Sequence, residues 1–301
     1  IESRAAAALS KRFCLATHAP ILQDERLFAD FGYLGDTEST RQVLEGTYEY
    51  PEDMDSHTRM LLEEAHHIFK SMSDEEIIDM ISTSDFQYFW QRANENIQSS
   101  ESNITFSHYK AQSRDEHLSA MQAAKLTLAC KTGIPLDRWH NGLTVLLEKE
   151  KGNILINKMR AIGLLEADFN WLNKIVYAKW MMDRAYDEGT VPVEQMARRG
   201  VQAAEGVLAS GLFCDIVRAM HYTAAIESVD LGNCYDAVAH PIASIALQAY
   251  KVRTVMVAMM LSVLQKMNFY LRTGLGKSDT TYGGSADDPT MGLVQGNGAA
   301  P

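Results

Sequence analysis

The sequence predicts an α+β fold, and three observations carry that expectation. Between His57 and Cys130 the apolar residues recur at the three-to-four spacing of packed helices. Leu143–Leu147 and Ile154–Ile156 are short aliphatic runs on either side of a Lys151-Gly152-Asn153 turn, the pattern of a β-hairpin. Residues 225–229 are small and apolar, run into Asp230 and break at Gly232-Asn233, which reads as a short buried strand delivering a carboxylate to an exposed edge. A carboxylate so placed is a candidate ligand for a hard cation such as Mg²⁺.

In chain order, residues 1–56 are poorly periodic and carry the turn residues Gly32, Gly35, Gly46 and Pro51, with Ala5 to Thr17 best suited to a helix. From His57 to Lys70 the residues Met60, Leu61, Ala65, Ile68 and Phe69 mark a helical face. Ser73-x-x-Glu76 has the form of a capping box and predicts a short helix through Ile81. Ser113-x-x-Glu116 repeats the device and predicts a helix to about Cys130, stopped by Gly133 and Pro135. His66 and His67 are neighbours on a helix and point in different directions, so they read as partly exposed histidines rather than metal ligands. Beyond Trp139, Lys149, Lys151, Lys158 and Arg160 cluster on the hairpin tip and its return strand.

A long helix is expected from about Glu166 to Tyr186, with Trp171, Ile175, Ala178 and Met182 on one stripe, and another from about Gln195 to Met220. His240-Pro241 opens a helical region whose Met256, Met259, Met260 and Leu264 read as packing core. Phe269 to Arg272 and Tyr282 predict strands around a Gly283-Gly284 turn.

A chain of 301 residues with 46% hydrophobic content can bury a substantial core, and its length suggests two domains or lobes. The longest apolar run, Val255 to Leu264, has about ten residues where a membrane span needs about twenty. No secretory signal is expected, since Ala5–Ala8 is followed at once by Lys11 and Arg12. The first residue is Ile1, which points to a fragment or a processed product. Cys14, Cys130, Cys214 and Cys234 lack metal-ligand spacing and read as reduced thiols of an intracellular protein, cytoplasmic or nuclear. The net charge of −11 repels phosphates overall, but residues 1–130 hold 11 Lys+Arg against 22 Asp+Glu and residues 131–301 hold 17 against 17. A nucleic-acid contact therefore belongs in the second part.

Two stretches carry a resemblance. Asp230-Leu231-Gly232-Asn233-Cys234-Tyr235-Asp236 follows the pattern Asp-x-x-x-x-aromatic-Asp, and Gly292-Leu293-Val294-Gln295-Gly296-Asn297-Gly298-Ala299-Ala300-Pro301 follows Gly-x-x-Gln-Gly-x-x-x-x-Pro. Together they resemble motifs A and B of the reverse transcriptases. Trp139, the apolar run, Lys151-Gly152 and Lys158-Met159-Arg160-Ala161-Ile162 are similar to the fingers segment of non-LTR retrotransposon enzymes, with Met159 in place of an aromatic and Ala161 in place of a proline. Residues 194–200 resemble the family's next motif without its two aromatics, and Ser107-His108-Tyr109-Lys110 is similar to the loop before the first. The resemblance covers roughly residues 98–301, and the spacing of about sixty-five residues between Asp230 and Gln295 matches the non-LTR type.

The resemblance implies part of a right-hand polymerase: a helical N-terminal extension (1–97), fingers (98–222) and a partial palm with motifs A and B only (223–301). It implies RNA-directed DNA synthesis, a two-metal nucleotidyl transfer onto a primer 3′-hydroxyl. Asp230, with the Leu231 carbonyl, would hold Mg²⁺, two ions serving the complete enzyme. Lys149, Lys151 and Arg160 suit the triphosphate, Arg160 because its planar fork binds two phosphate oxygens at once. Tyr235 would sense the sugar 2′-position, and Gln295 and Gly296 would approach the templating pair, glycine permitting close backbone contact. Asp236 is given no metal role.

The implied partners are an RNA template, a DNA primer and deoxynucleoside triphosphates, with no membrane. The family's aromatic-x-Asp-Asp motif does not follow Gln295, and Asp287-Asp288 precedes it in what reads as a loop. Two alternatives stay open: a decayed or domesticated relative acting as a non-catalytic nucleic-acid or protein-binding module, and a helical scaffold with solvated lysines, a core Tyr235 and an ordinary loop amide at Gln295. The expected outcome is that the 301-residue chain alone binds Mg²⁺ poorly and does not extend a primer on RNA. Templated synthesis abolished by Asp230→Ala would contradict this.

Overall fold

The computed structural model describes the chain except for residues 1, 78, 96–100, 193–194, 196–199, 230–231, 233, 286–287 and 300–301. The first part is built from α1 (Glu2–Phe13), α2 (Pro20–Gln23), α3 (Glu25–Phe31), α4 (Glu38–Glu45) and α5 (Ser56–Ser71). Each of the first four buries only one to three positions, which is why residues 1–56 show no clear period. Side-chain caps start several of them: Asp24 accepts from the Arg26 and Leu27 amides at 2.9 Å, and Asp55 accepts from the Thr58 amide at 2.8 Å.

Among the described residues the helix expected from Ser73 to Ile81 does not form. The Ser73 amide and hydroxyl donate instead to the Glu188 carboxylate, at 2.9 and 2.6 Å, and the Ile77 amide donates to the Lys251 carbonyl at 2.8 Å. Distant partners thus take up the groups a local cap would have used. The full capping box lies at Ser82 and Asp85, opening α6 (Thr83–Arg92). α7 (Phe106–Gln112) follows, and α8 (Glu116–Thr132) is capped by Asp115 rather than Ser113, whose hydroxyl donates to the Lys110 carbonyl. Gly133, at φ 70°, ends α8 where the sequence predicts a stop.

The chain continues through β1 (Asn141–Glu148), β2 (Met159–Leu164), α9 (Ala167–Asn173), a π-helical stretch (Lys174–Met181), α10 (Met182–Asp187) and α11 (Ala203–Ala219). It ends with α12 (His240–Ala249), α13 (Thr254–Gln265), β3 (Asn268–Thr273) and β4 (Gly276–Gly283). The four strands form one mixed sheet in the order β2-β1-β3-β4, with β1 and β3 parallel and the outer pairs antiparallel. The architecture is therefore α+β. Among the described residues no helix is long and apolar enough to cross a membrane.

Three sequence expectations shift within this frame. Residues 222–229 form no strand, and Ile226 and Val229 stand 65% and 71% exposed, with no sheet partner. The hairpin's return strand starts at Met159 rather than Ile154, because Arg12 of α1 reaches over to donate to the Ile156 and Met159 carbonyls at 3.0 and 3.2 Å. The β3–β4 connection falls at Gly274-Leu275, and Gly283 closes β4 instead of making the turn.

One face of the sheet carries Gly163, Thr144, Leu271, Phe269 and Tyr282 in register. Phe13 of α1 stacks on Phe269 with centroids 5.5 Å apart and lies 6.1 Å from Tyr282, so α1 covers this face. Strand alternation turns Arg160 and Ile162 to the other, more open face.

The larger core joins an aromatic cluster of Phe86, Trp90, Tyr109 and Trp171 to Met256, Met259, Met260 and Leu264, the methionines packing as the sequence predicts. Within it sit two carboxylates removed from water, Glu166 and Asp168. Arg138 donates to Glu166 at 2.6 Å and to both Asp168 oxygens. Asp168 also accepts from Lys125 at 3.1 Å, from the Trp139 indole at 3.0 Å and from the Phe169 amide at 3.0 Å. Ser102 donates its hydroxyl to Glu166 at 2.8 Å. Burial alone pushes the Asp168 carboxyl up, but the Arg138 hydrogen bonds and the Lys125 charge overcome it and hold it below the usual carboxylate range. Replacing Arg138 by Met leaves Asp168 to Lys125 and removes the guanidinium from the buried Glu166, so urea unfolding of Arg138→Met should show a loss of about 3–5 kcal/mol.

Candidate nucleotide and nucleic-acid interface

The β1–β2 hairpin carries the basic residues picked out from the sequence. Lys149, Lys151 and Arg160 are all exposed, and the tip turns at Gly152, whose φ is 83° and whose amide donates to Glu148 at 2.8 Å. Arg12 ties the base of the return strand to α1, which leaves the tip as the projecting part.

The segment 292–298 wraps around the outer edge of β2. The Gly163 amide donates to the Gln295 carbonyl at 2.8 Å, so the loop occupies the hydrogen-bonding edge of that strand. The approach is too close for side chains. A Cβ on Gly296, at φ 120°, would stand 2.3 Å from the Gly163 carbonyl oxygen, and a Cβ on Gly163 would stand 2.3 Å from Val294 Cγ1. Val294 itself takes φ 59°, a conformation that a β-branched residue adopts only where the surroundings enforce it. That turn carries the loop from the α1-covered face to the open one, where a Gly296 Cβ would lie 3.5 Å from Ile162.

The same loop is knitted to residues 235–240. The Leu293 amide donates to the Tyr235 carbonyl at 2.8 Å, and the Gly292 amide to the Val238 carbonyl at 3.0 Å. His240, fully buried, has Nε2 2.8 Å from the Gly292 carbonyl, and its Nδ1 has no partner among the described residues. Burial pushes its pKa down to about 4 against that hydrogen bond. Burial likewise raises the half-buried Asp236 carboxyl, with Arg12 and Lys149 opposing.

Of the residues singled out by sequence, Arg160, Gln295 and Gly296 thus meet on one strand, and Tyr235 joins them through the Leu293 bond. Their side chains do not all share a surface. Arg160 is on the face that Gly296 reaches, whereas Asp236 keeps company with Arg12, Lys149 and Tyr282 on the α1 side. Lys151 stands apart at the exposed tip. Asp230 and Leu231 lie outside the described residues, as do Glu194, residues 196–199 and Asp287.

A cleft of about 490 Å³ opens beside Gly296, walled by Phe89, Phe106 and Trp171 and bearing Arg92 and Lys174. Lys174 Nζ lies 5.9 Å from the Phe89 ring centroid. Aromatic faces beside cations suit a base and its phosphate. Apart from Gly296, sequence reasoning assigned this cleft nothing, because Trp171 reads as one more residue on a packing stripe. It likewise missed the buried Glu166 and Asp168, whose only sequence signal is a pair of acids two apart in an apolar stretch.

Among the described residues no group of three or more His, Cys, Asp or Glu side chains is placed to hold a metal ion. Asp236 has the cations Arg12 and Lys149 acting on it. The described donors do not assemble a Mg²⁺ site. No protein-family model and no curated protein matches this chain.

The buried imidazole makes stability pH-dependent. The unfolded state takes up a proton at His240 near pH 6.5 while the folded state resists until about pH 4, so stability present above pH 6.5 is lost as pH falls toward 4. The loss amounts to about 3 kcal/mol for a shift of this size. Urea unfolding between pH 7 and pH 4 should show this slope, and His240→Gln should reduce it.

Proposed function

We propose that this chain supplies nucleotide- and template-contacting residues of an RNA-directed DNA polymerase of the non-LTR reverse-transcriptase kind. The observation that carries the reading is the backbone convergence of three remote segments. The strand bearing Arg160 is bonded to the Gln295-Gly296 turn, and that turn is bonded through Leu293 to Tyr235. These are the segments that the resemblance picks out by motif.

In this reading the Arg160 guanidinium takes two oxygens of an incoming triphosphate and Lys151 adds charge from the tip. Lys149 contributes from beside Asp236. Gly296 allows the main chain to come close to the templating pair, Gln295 offers its amide there, and Tyr235 packs against the sugar and disfavours a 2′-hydroxyl. Asp230, with the Leu231 carbonyl, is the residue assigned to Mg²⁺, which when bound would activate the primer hydroxyl and steady the leaving pyrophosphate. Template RNA passes beside Gly296, where the half-buried Phe89 and Phe106 rings border the cleft and add stacking surface.

The test is a fluorescence titration of the chain with a labelled deoxynucleoside triphosphate. Arg160→Ala should weaken binding about tenfold or more, as expected for the loss of a bidentate charge-assisted contact. Tyr235→Ala should narrow the preference for deoxy- over ribonucleotides. A wild-type chain that binds neither nucleotide, or an affinity indifferent to Arg160→Ala, overturns the reading.

A further inference from the structure

Between α4 and the junction of α12 with α13 lies a cleft of about 530 Å³, within the size range of small-molecule sites. Lys251 lines it with a side chain only 6% exposed. The ammonium lies 3.3 Å from the centroid of the Phe69 ring, and its ion-pair partner is Asp74 at 3.6 Å, on a side chain wholly in solvent. An ammonium has three hydrogens to donate, and among the described residues none of them finds an acceptor within hydrogen-bonding distance. Taking such a group out of water is costly unless new hydrogen bonds replace its hydration.

The backbone holds an uncommon conformation to put it there. Lys251 follows the C-terminus of α12 at φ 61°, a position where glycine is the usual residue and a side chain is strained. The chain is pinned in that turn, since the Lys251 amide donates to the Gln248 carbonyl at 2.9 Å and its carbonyl accepts from the Ile77 amide at 2.8 Å. Strain enforced at a residue that glycine could replace points to a use for the side chain.

We propose that this cleft binds a free α-amino acid, with its carboxylate on the Lys251 ammonium and its amino group on the Asp36 carboxylate. Five carboxylates and three cations line the cleft, so a simple anion meets an acidic surface. Most of these charges are matched within the wall. Arg41 pairs with Glu38 and, at 2.9 Å, with Glu45, and Arg253 pairs with Glu76 at 3.3 Å. Asp74, in open solvent, holds Lys251 only weakly. Asp36 is exposed on the same lining and has no ion pair or side-chain hydrogen bond among the described residues. One cation and one anion are thus left to a ligand, and a zwitterion complements both without adding net charge. Its carboxylate brings charged acceptors to the unused ammonium hydrogens, and Phe69 and Val252 offer apolar surface to its side chain. Phosphate fits less well, because it carries further negative charge into an acidic cleft. The inference goes beyond the polymerase reading and does not depend on it.

The experiment is isothermal titration calorimetry of the 301-residue chain with the twenty standard amino acids one at a time, and with acetate, ethylammonium chloride and inorganic phosphate for comparison. At least one amino acid should bind with a dissociation constant of about 1 mM or tighter, and each comparison probe at least about tenfold more weakly. Lys251→Gly removes the ammonium at a backbone position that glycine adopts freely, so the circular dichroism spectrum should be kept while affinity falls at least about tenfold. Asp36→Asn, at an exposed site, should weaken the same amino acid by a similar factor, and it decides the matter alone should Lys251→Gly lose its spectrum. A wild-type chain that takes up none of the amino acids overturns the proposal, as does an affinity indifferent to either substitution. Acetate or phosphate bound as tightly as the best amino acid would make the cleft a simple anion site and overturn it equally.

Discussion

The guanidinium of Arg138 is the constraint on which the rest of the arrangement depends. Two carboxylates held away from water are tolerable only while a cation stays between them, and Arg138 serves both Glu166 and Asp168 at once. Arg138 lies just before β1, and the two acids lie just after β2. Both roots of the hairpin are therefore fixed at a single buried point, and Lys125 and Ser102 bring α8 and the loop before α7 to the same place. The hairpin can project its basic tip because its base cannot move.

What the sequence revealed and what it hid divide along physical lines. α5 and α8 form where the pattern predicts helices, but on α5 Met60 and Leu61 are 65% and 53% exposed while Thr58, Leu62 and Ala65 face the core, so the period located the helix without fixing which face packs. The same reasoning failed at Ser73, where a serine followed by a glutamate three residues on is also a surface that Glu188 can occupy. It failed again at residues 225–229, since a run of small apolar residues shows that a segment is uncomfortable in water but not what will cover it.

The candidate site splits in the same way. Arg160, Tyr235, Gln295 and Gly296 were legible as motif positions, and their backbones converge. The side-chain surface they share was not legible, because which face of β2 a residue occupies depends on where the strand begins, and that was set by Arg12, some 150 residues away in sequence. The cleft beside Gly296 was hidden for a related reason: the half-buried Phe89 packs against the core and also borders the cleft, and a pattern of apolar residues records only the first.

The loop over β2 also decides how the sheet meets other molecules. Strand edges with unsatisfied amides recruit foreign strands, and a protein must blunt them to stay dispersed. At one border the Gln295 carbonyl already occupies the Gly163 amide, and the packed glycines leave no gap for an intruder to enter. Among the described residues no loop is bonded along the opposite border, β4, which carries the exposed Lys277 and Asp279. Charges on a border strand of this kind disfavour pairing with a foreign strand.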